Sequence, residues 1–242
     1  VKRKNRTALL LAGLSLLGLP LLAVQSFAGG GVQARPVEDA VIGAEAPVPA
    51  VDTQQSARDL AELGQRLKPM ENLSASFTQT VTSADGYIIQ EVTGKLVVAR
   101  PGRVRWSSDA PYEQLVVSDA ETLWLYDPDL EQVTVRPFHN DISRTPAVLF
   151  IGEVDTLARD YRVQAEKNNG IDKYWLEPRG SDALYERIAI EFEGNKPHAM
   201  ALWDSLGQVT RIGFTDVTVN GPVDAGAFTF TPPKGVDVLH DE

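Results

Sequence analysis

The chain has 242 residues, 23 basic and 33 acidic, for a net charge of −10, and it contains no cysteine. With 43% hydrophobic residues it can bury a proper core, so wholesale disorder is excluded. An acidic chain repels nucleic-acid phosphates, and the lack of cysteine removes disulfides, thiolate metal sites, a cysteine nucleophile and a cysteine-borne lipid anchor.

Lys2, Arg3, Lys4 and Arg6 precede an apolar run from Ala8 to Val24, and Ser26-Phe27-Ala28 puts small residues at the two positions a signal peptidase reads. This order predicts a secretory signal over residues 1–28, cut after Ala28. The run is about 17 residues, short for a bilayer span, and Gly13, Gly18 and Pro20 interrupt it. Cleavage would leave 19 basic residues against 33 acidic ones, a net charge of −14 that favours solubility and repulsion from anionic bilayers. Residues 29–54 hold Gly, Ala, Val and Pro with no aromatic residue and no sustained period, which predicts a flexible tether ahead of one domain over 55–242.

Leu60, Leu63, Leu67 and Met70 recur at helical spacing, Ser56 with Asp59 resembles a capping box, and Pro69 ends the helix near Lys68. From there the period switches to two. Strands are expected at 75–81, 87–100, 103–107, 113–118, 122–126, 131–136, 161–166, 173–177, 186–193, 199–204, 209–219 and 227–231, with turn pairs such as Asp85-Gly86, Asn169-Gly170 and Asn220-Gly221 between them. Many strands with short turns make sequential antiparallel hairpins, and hence a mainly β fold, a large curved sheet or barrel. Thr145 to Asp160 breaks this pattern. Pro146 opens a helical stretch in which Leu149, Phe150, Val154 and Leu157 share spacing, and its apolar face suits a plug or lid for a barrel interior.

The residues give no foothold for enzyme chemistry. His139, His198 and His240, the last in a polar C-terminal tail, are too scattered for a paired metal site, and no nucleophile elbow, S-x-x-K or phosphate-binding glycine motif occurs. Asp127, Asp129 and Glu131 are spaced like calcium ligands, but Gln132 stands where that loop needs glycine, so the segment reads as a hairpin turn. No metal, cofactor or catalytic residue is therefore expected.

The concentrated signal is GKLVVARPGRVRW, residues 94–106. Leu96, Val98 and Arg100 share a strand face, and Val104 and Trp106 continue it after the Pro101-Gly102 turn; Arg103 and Arg105 point the other way, towards solvent. Arg100 has two readings: a strand-end arginine reaching water, or a guanidinium bonded to carbonyls or carboxylates above an apolar face.

In this stretch the chain resembles the periplasmic outer-membrane lipoprotein carrier family, LolA. The likeness runs from about Leu60 to Val236. It rests on Ala75-Ser-Phe-Thr-Gln79, Gly94 to Arg100-Pro101 closing on Trp106, Gln114 to Asp119, Leu123-Trp-Leu-Tyr-Asp-Pro128 with Leu130-Glu-Gln132, Thr145-Pro146, and Phe228 to Gly235, in that order. The resemblance implies an incomplete antiparallel β-barrel enclosing a hydrophobic cavity under a helical lid. It implies a non-enzymatic, monomeric periplasmic chaperone that takes acylated lipoproteins from an inner-membrane lipoprotein-releasing ABC transporter to an outer-membrane lipoprotein receptor. Leu96, Val98, Val104 and Trp106 match cavity positions. Arg100 matches an arginine that bonds lid carbonyls in the closed state, the lid here being Leu149, Phe150, Val154 and Leu157. Two departures are Val104, where relatives often carry an aromatic residue, and Ala120, where glycine is common. The receptor of the same fold, LolB, is itself a lipoprotein anchored through cysteine, which this chain lacks. The alternative is an exported lipid-binding sensor or hydrolase on the same barrel, which would need a catalytic constellation absent from the sequence.

Overall fold

Period-two burial begins at Asn72: from Leu73 through Ala75, Phe77, Gln79 and Val81 every second side chain of the first strand is buried. A computed structural model of the chain describes residues 53–138, 149–151, 154–181 and 183–241, all within one unit, Gln33–Glu242. The expected signal peptide, nearly all of the tether, His139 and Thr145-Pro146 lie outside the described residues. Helix α1 spans Thr53–Leu67, so Thr53 and Gln54 belong to the helix rather than to the tether.

The strands are β1 (Asn72–Thr82), β2 (Ile88–Ala99), β3 (Arg103–Ser108), β4 (Gln114–Asp119), β5 (Thr122–Asp127), β6 (Gln132–Pro137), β7 (Tyr161–Asn168), β8 (Ile171–Pro178), β9 (Tyr185–Glu193), β10 (Lys196–Asp204), β11 (Val209–Val219) and β12 (Asp237–His240); α2 (Val154–Asp160) precedes β7. They form one sheet in the order β12-β6-β5-β4-β3-β2-β1-β11-β10-β9-β8-β7, with β12 and β7 as its two edges. Eleven of the twelve expected strands are present, each within three residues of its predicted ends. The turns obey local chemistry: Asn169 and Gly170, at φ 48 and 87, make the two-residue loop between β7 and β8. A bulge at Ser74/Ser76 interrupts the β1–β11 ladder and bends the sheet.

Four local expectations fail. Residues 227–231 are not a strand. Asp224 accepts a hydrogen bond from Gly226 N and starts a 3-10 turn, Ala225–Phe228, and Pro232 and Pro233 cannot donate to a ladder. The alternation of Phe228 and Phe230 instead fits the segment to the outer sheet face, where Phe230 lies 5.8 Å from Tyr126. Arg103 and Arg105 are therefore not directed freely into solvent: the Arg103 guanidinium lies over the Phe228 ring at 5.1 Å, and Arg105 donates to Ala227 O. The stretch holding His240 is not a tail but β12, paired in parallel with β6.

Finally, Ser56 and Asp59 do not cap α1. They lie one turn inside it and are buried, Ser56 Oγ accepting from Val163 N (3.0 Å) and Asp59 Oδ2 from Ala165 N (2.9 Å). Two helix side chains thus satisfy outward donors of the edge strand β7, a covering that discourages edge-to-edge pairing. The buried stripe is Ser56, Asp59, Leu63, Gly64 and Leu67, which leaves Leu60 half-exposed.

Candidate functional site

The β2–β3 register places Leu96 opposite Trp106 and Val98 opposite Val104, so the four expected cavity residues form one contiguous buried patch. Gly94 makes room beside it: a Cβ there would stand 2.1 Å from Ser107 O and 2.5 Å from the Phe77 ring. Phe77 can then lie against Trp106 with ring centroids 4.1 Å apart. On the other side Phe77 pairs with Phe214 of β11, whose ring meets the edge of Phe150 at 5.6 Å. Leu149, Phe150, Ile151 and Leu157 are all buried. Of this stretch, Leu149–Phe150 are 3-10 helical and Val154–Asp160 form α2; residues 145–148 and 152–153 lie outside the described residues. Val154 opens α2, and its side chain lies outside the described residues.

Arg100 sits where β2 ends. Its Nη1 donates to Ile151 O at 2.7 Å, its Nε to Met70 O at 2.9 Å and its Nη2 to Leu67 O at 3.1 Å. The first acceptor belongs to the Leu149–Ile151 segment; Leu67 O lies at the C-terminal end of α1, where helix carbonyls lack intrahelical partners and the dipole favours a cation, and Met70 O lies just beyond that end. Three carbonyls in a fork around one planar guanidinium compensate a half-buried charge, an arrangement an ammonium could not reproduce. Of the two readings of Arg100, the carbonyl-bonded one holds.

A second polar group, which sequence reasoning missed, fixes α1 to the sheet. Arg66 pairs with Asp172, donates to Gly194 O, and donates through Nε to the Tyr174 hydroxyl at 2.9 Å; that hydroxyl donates in turn to Glu62. Lys167 also reaches Glu62 at 2.8 Å, and this hydrogen bond, followed by that from Tyr174, holds the Glu62 carboxyl below its ordinary range. The Tyr174 hydroxyl is pushed far up, chiefly by burial and then by its bond to Glu62. The only local clue was a basic residue in the last turn of a helix, Arg66. Its partners lie more than 100 residues away.

Among the described residues no group of three His, Asp or Glu side chains is placed to hold a metal, His198 and His240 are exposed, and no helix is long and apolar enough to cross a membrane.

Residues 68–231 match the family model described as outer membrane lipoprotein carrier protein LolA. The chain is 39% identical over 202 residues to an outer-membrane lipoprotein carrier protein of Chromohalobacter salexigens, covering 83% of this chain and 95% of that one. It is 40% identical over 178 residues to the protein of that name in Alcanivorax borkumensis, covering 73% and 85%. Among solved structures, a LolA superfamily protein from Nitrosomonas europaea aligns over 71% of this chain and 98% of its own, at 12% identity and a TM-score of 0.42. By its sequence, the chain belongs to the LolA family of outer membrane lipoprotein carrier proteins.

Proposed function

We propose that this protein is a periplasmic chaperone for acylated lipoproteins, holding their acyl chains against the concave face of the sheet and performing no covalent chemistry. It receives its cargo from an inner-membrane lipoprotein-releasing ABC transporter and passes it to an outer-membrane lipoprotein receptor, working as a monomer without a cofactor. The observation that carries this reading is Arg100 bonding Ile151 O over the apolar patch of Leu96, Val98, Val104 and Trp106.

Each buried CH₂ contributes about 0.8 kcal/mol, so one long acyl chain exposed to water costs on the order of 10 kcal/mol. A multiply acylated protein therefore needs a covered apolar surface to cross an aqueous compartment. The carrier must also give its cargo up. A lid that buries its own Leu149, Phe150 and Leu157 on the empty face competes with the acyl chains and lowers net affinity. Arg100 sets the free energy of that closed state.

The test is release: inner-membrane vesicles carrying the transporter and a labelled lipoprotein are given ATP and the purified protein. Lipoprotein is expected in the supernatant as a complex with this chain. Lipoprotein that stays in the pellet with the protein present would refute the proposal.

A further inference from the structure

Two carboxamides interrupt the buried apolar face at the end of β1 and β2 remote from Arg100. Gln79 belongs to the buried set of β1 and is 4% exposed. Its neighbours in register, Val92 on β2 and Ile212 on β11, are buried and apolar, as are Phe77 and Val81 on either side along the strand. Gln90, two residues before Val92 on the same face of β2, stands opposite Val81. The Oε1 atoms of both glutamines are buried and have no hydrogen-bond partner among the described residues.

Such a pair is costly in a folded core. A buried amide oxygen that loses water and gains no donor is destabilising, and the large majority of buried side-chain polar atoms in proteins are partnered. A leucine would fill the Gln79 position at lower cost. Apolar ligand sites, by contrast, keep a few polar groups that fix the ligand's orientation. The acyl chains of a lipoprotein join its N-terminal residue through one amide and through esters, which together present an N–H donor and several carbonyl acceptors. A carboxamide offers both complementary functions.

We infer that Gln79, with Gln90 beside it, forms a polar subsite that hydrogen-bonds the amide and ester linkages of the cargo. This inference rests on the carrier reading above and adds a determinant of ligand choice: the site distinguishes an acylated peptide from a plain hydrocarbon of equal length. The empty protein leaves both oxygens unpartnered; the amide N–H of the linkage supplies a donor to one of them, and its carbonyls accept from the carboxamide N–H groups.

The test compares two probes on the full domain, a synthetic tripalmitoylated cysteinyl peptide and its ether-and-alkyl analogue without the amide and carbonyls. The wild type is expected to bind the acylated peptide more tightly. Gln79→Leu should cut that preference about tenfold, leave the analogue's affinity unchanged or raised, and not lower the melting temperature. Equal loss for both probes, or no loss for the acylated peptide, overturns the inference. Should Gln79→Leu not fold, the Gln79 side-chain amide resonance of the wild type gives the same answer: it should shift with the acylated peptide and not with the analogue, and equal shifts would overturn the subsite. A wild type that binds neither probe would instead overturn the carrier reading itself.

Discussion

Arg100 Nη1 donates to Ile151 O at 2.7 Å, while Nε and Nη2 of the same guanidinium hold Met70 O and Leu67 O at the end of α1. The bond to Ile151 O can therefore break while these two bonds still hold the arginine in place. The guanidinium is positioned by the end of α1 and the turn after it, and α1 is fixed to the sheet by Arg66 through Asp172 and Tyr174.

Arg100→Leu removes a donor from three carbonyls, of which Leu67 O still accepts from Met70 N, and should destabilise the domain by about 2 kcal/mol. Amide exchange across Leu149–Ile151 should accelerate, and lipoprotein should load but transfer poorly to the receptor. Arg100→Lys, which cannot span three acceptors, should resemble the leucine variant. Unchanged exchange at Leu149–Ile151 together with a normal transfer rate in Arg100→Leu would contradict the latch.

The double variant Ser56→Ala, Asp59→Ala removes the acceptors of Val163 N and Ala165 N. A cost of about 2–3 kcal/mol is expected, with faster exchange at those two amides and concentration-dependent association through the uncovered β7 edge. Hydrogen exchange and sedimentation report the two effects separately.

Gly94→Ala would drive a methyl group into Ser107 O and the Phe77 ring. Backbone cannot move as a side-chain tip can, so a loss of about 2–3 kcal/mol in urea unfolding is expected, with displacement of Phe77 from Trp106. Equal midpoints for variant and wild type would show that β2 can shift to absorb the methyl.

Ala120 adopts φ 88 in the turn between β4 and β5, a left-handed conformation that a Cβ disfavours. Ala120→Gly should raise stability by about 1 kcal/mol, read as a higher melting temperature.

Burial, and then the charge of Asp204, push the Tyr185 hydroxyl from its ordinary 10.0 up to about 12. A raised folded value means the associated stability is complete below pH 10 and is lost as pH rises towards 12. Tyr174 is displaced in the same direction and adds to the alkaline loss. Glu62 is displaced downward, so its share is complete above the ordinary carboxylate range and is lost as pH falls through the lower folded value. Tyr185→Phe should flatten the part of the stability profile between pH 10 and 12, measured by denaturant midpoints at each pH.

The β architecture was legible because its causes are local. Alternating burial and turn pairs such as Asn169-Gly170 are decided within a few residues, and the Leu96, Val98, Val104 and Trp106 face follows from strand periodicity and one tight turn. The 3-10 turn at Ala225–Phe228 was misread because alternation reports that two side chains share a face, not whether the backbone has a hydrogen-bonded neighbour. Strand β12 left no trace in the sequence, since its four residues are exposed and only the pairing with β6 defines it.

The sequence by itself therefore determined the sheet, its apolar face, the helical stripe at Leu63 and Leu67, and the presence of an arginine at the end of that face. The tertiary structure decided what each polar group does: which carbonyls Arg100 holds, that Ser56 and Asp59 serve β7 rather than the start of α1, and that Gln79 is buried without a donor. The division has one physical reason. Hydrophobic burial is non-directional and can be read from periodicity, whereas a hydrogen bond is directional and its partner, here 30 to more than 100 residues away, exists only once the chain has folded.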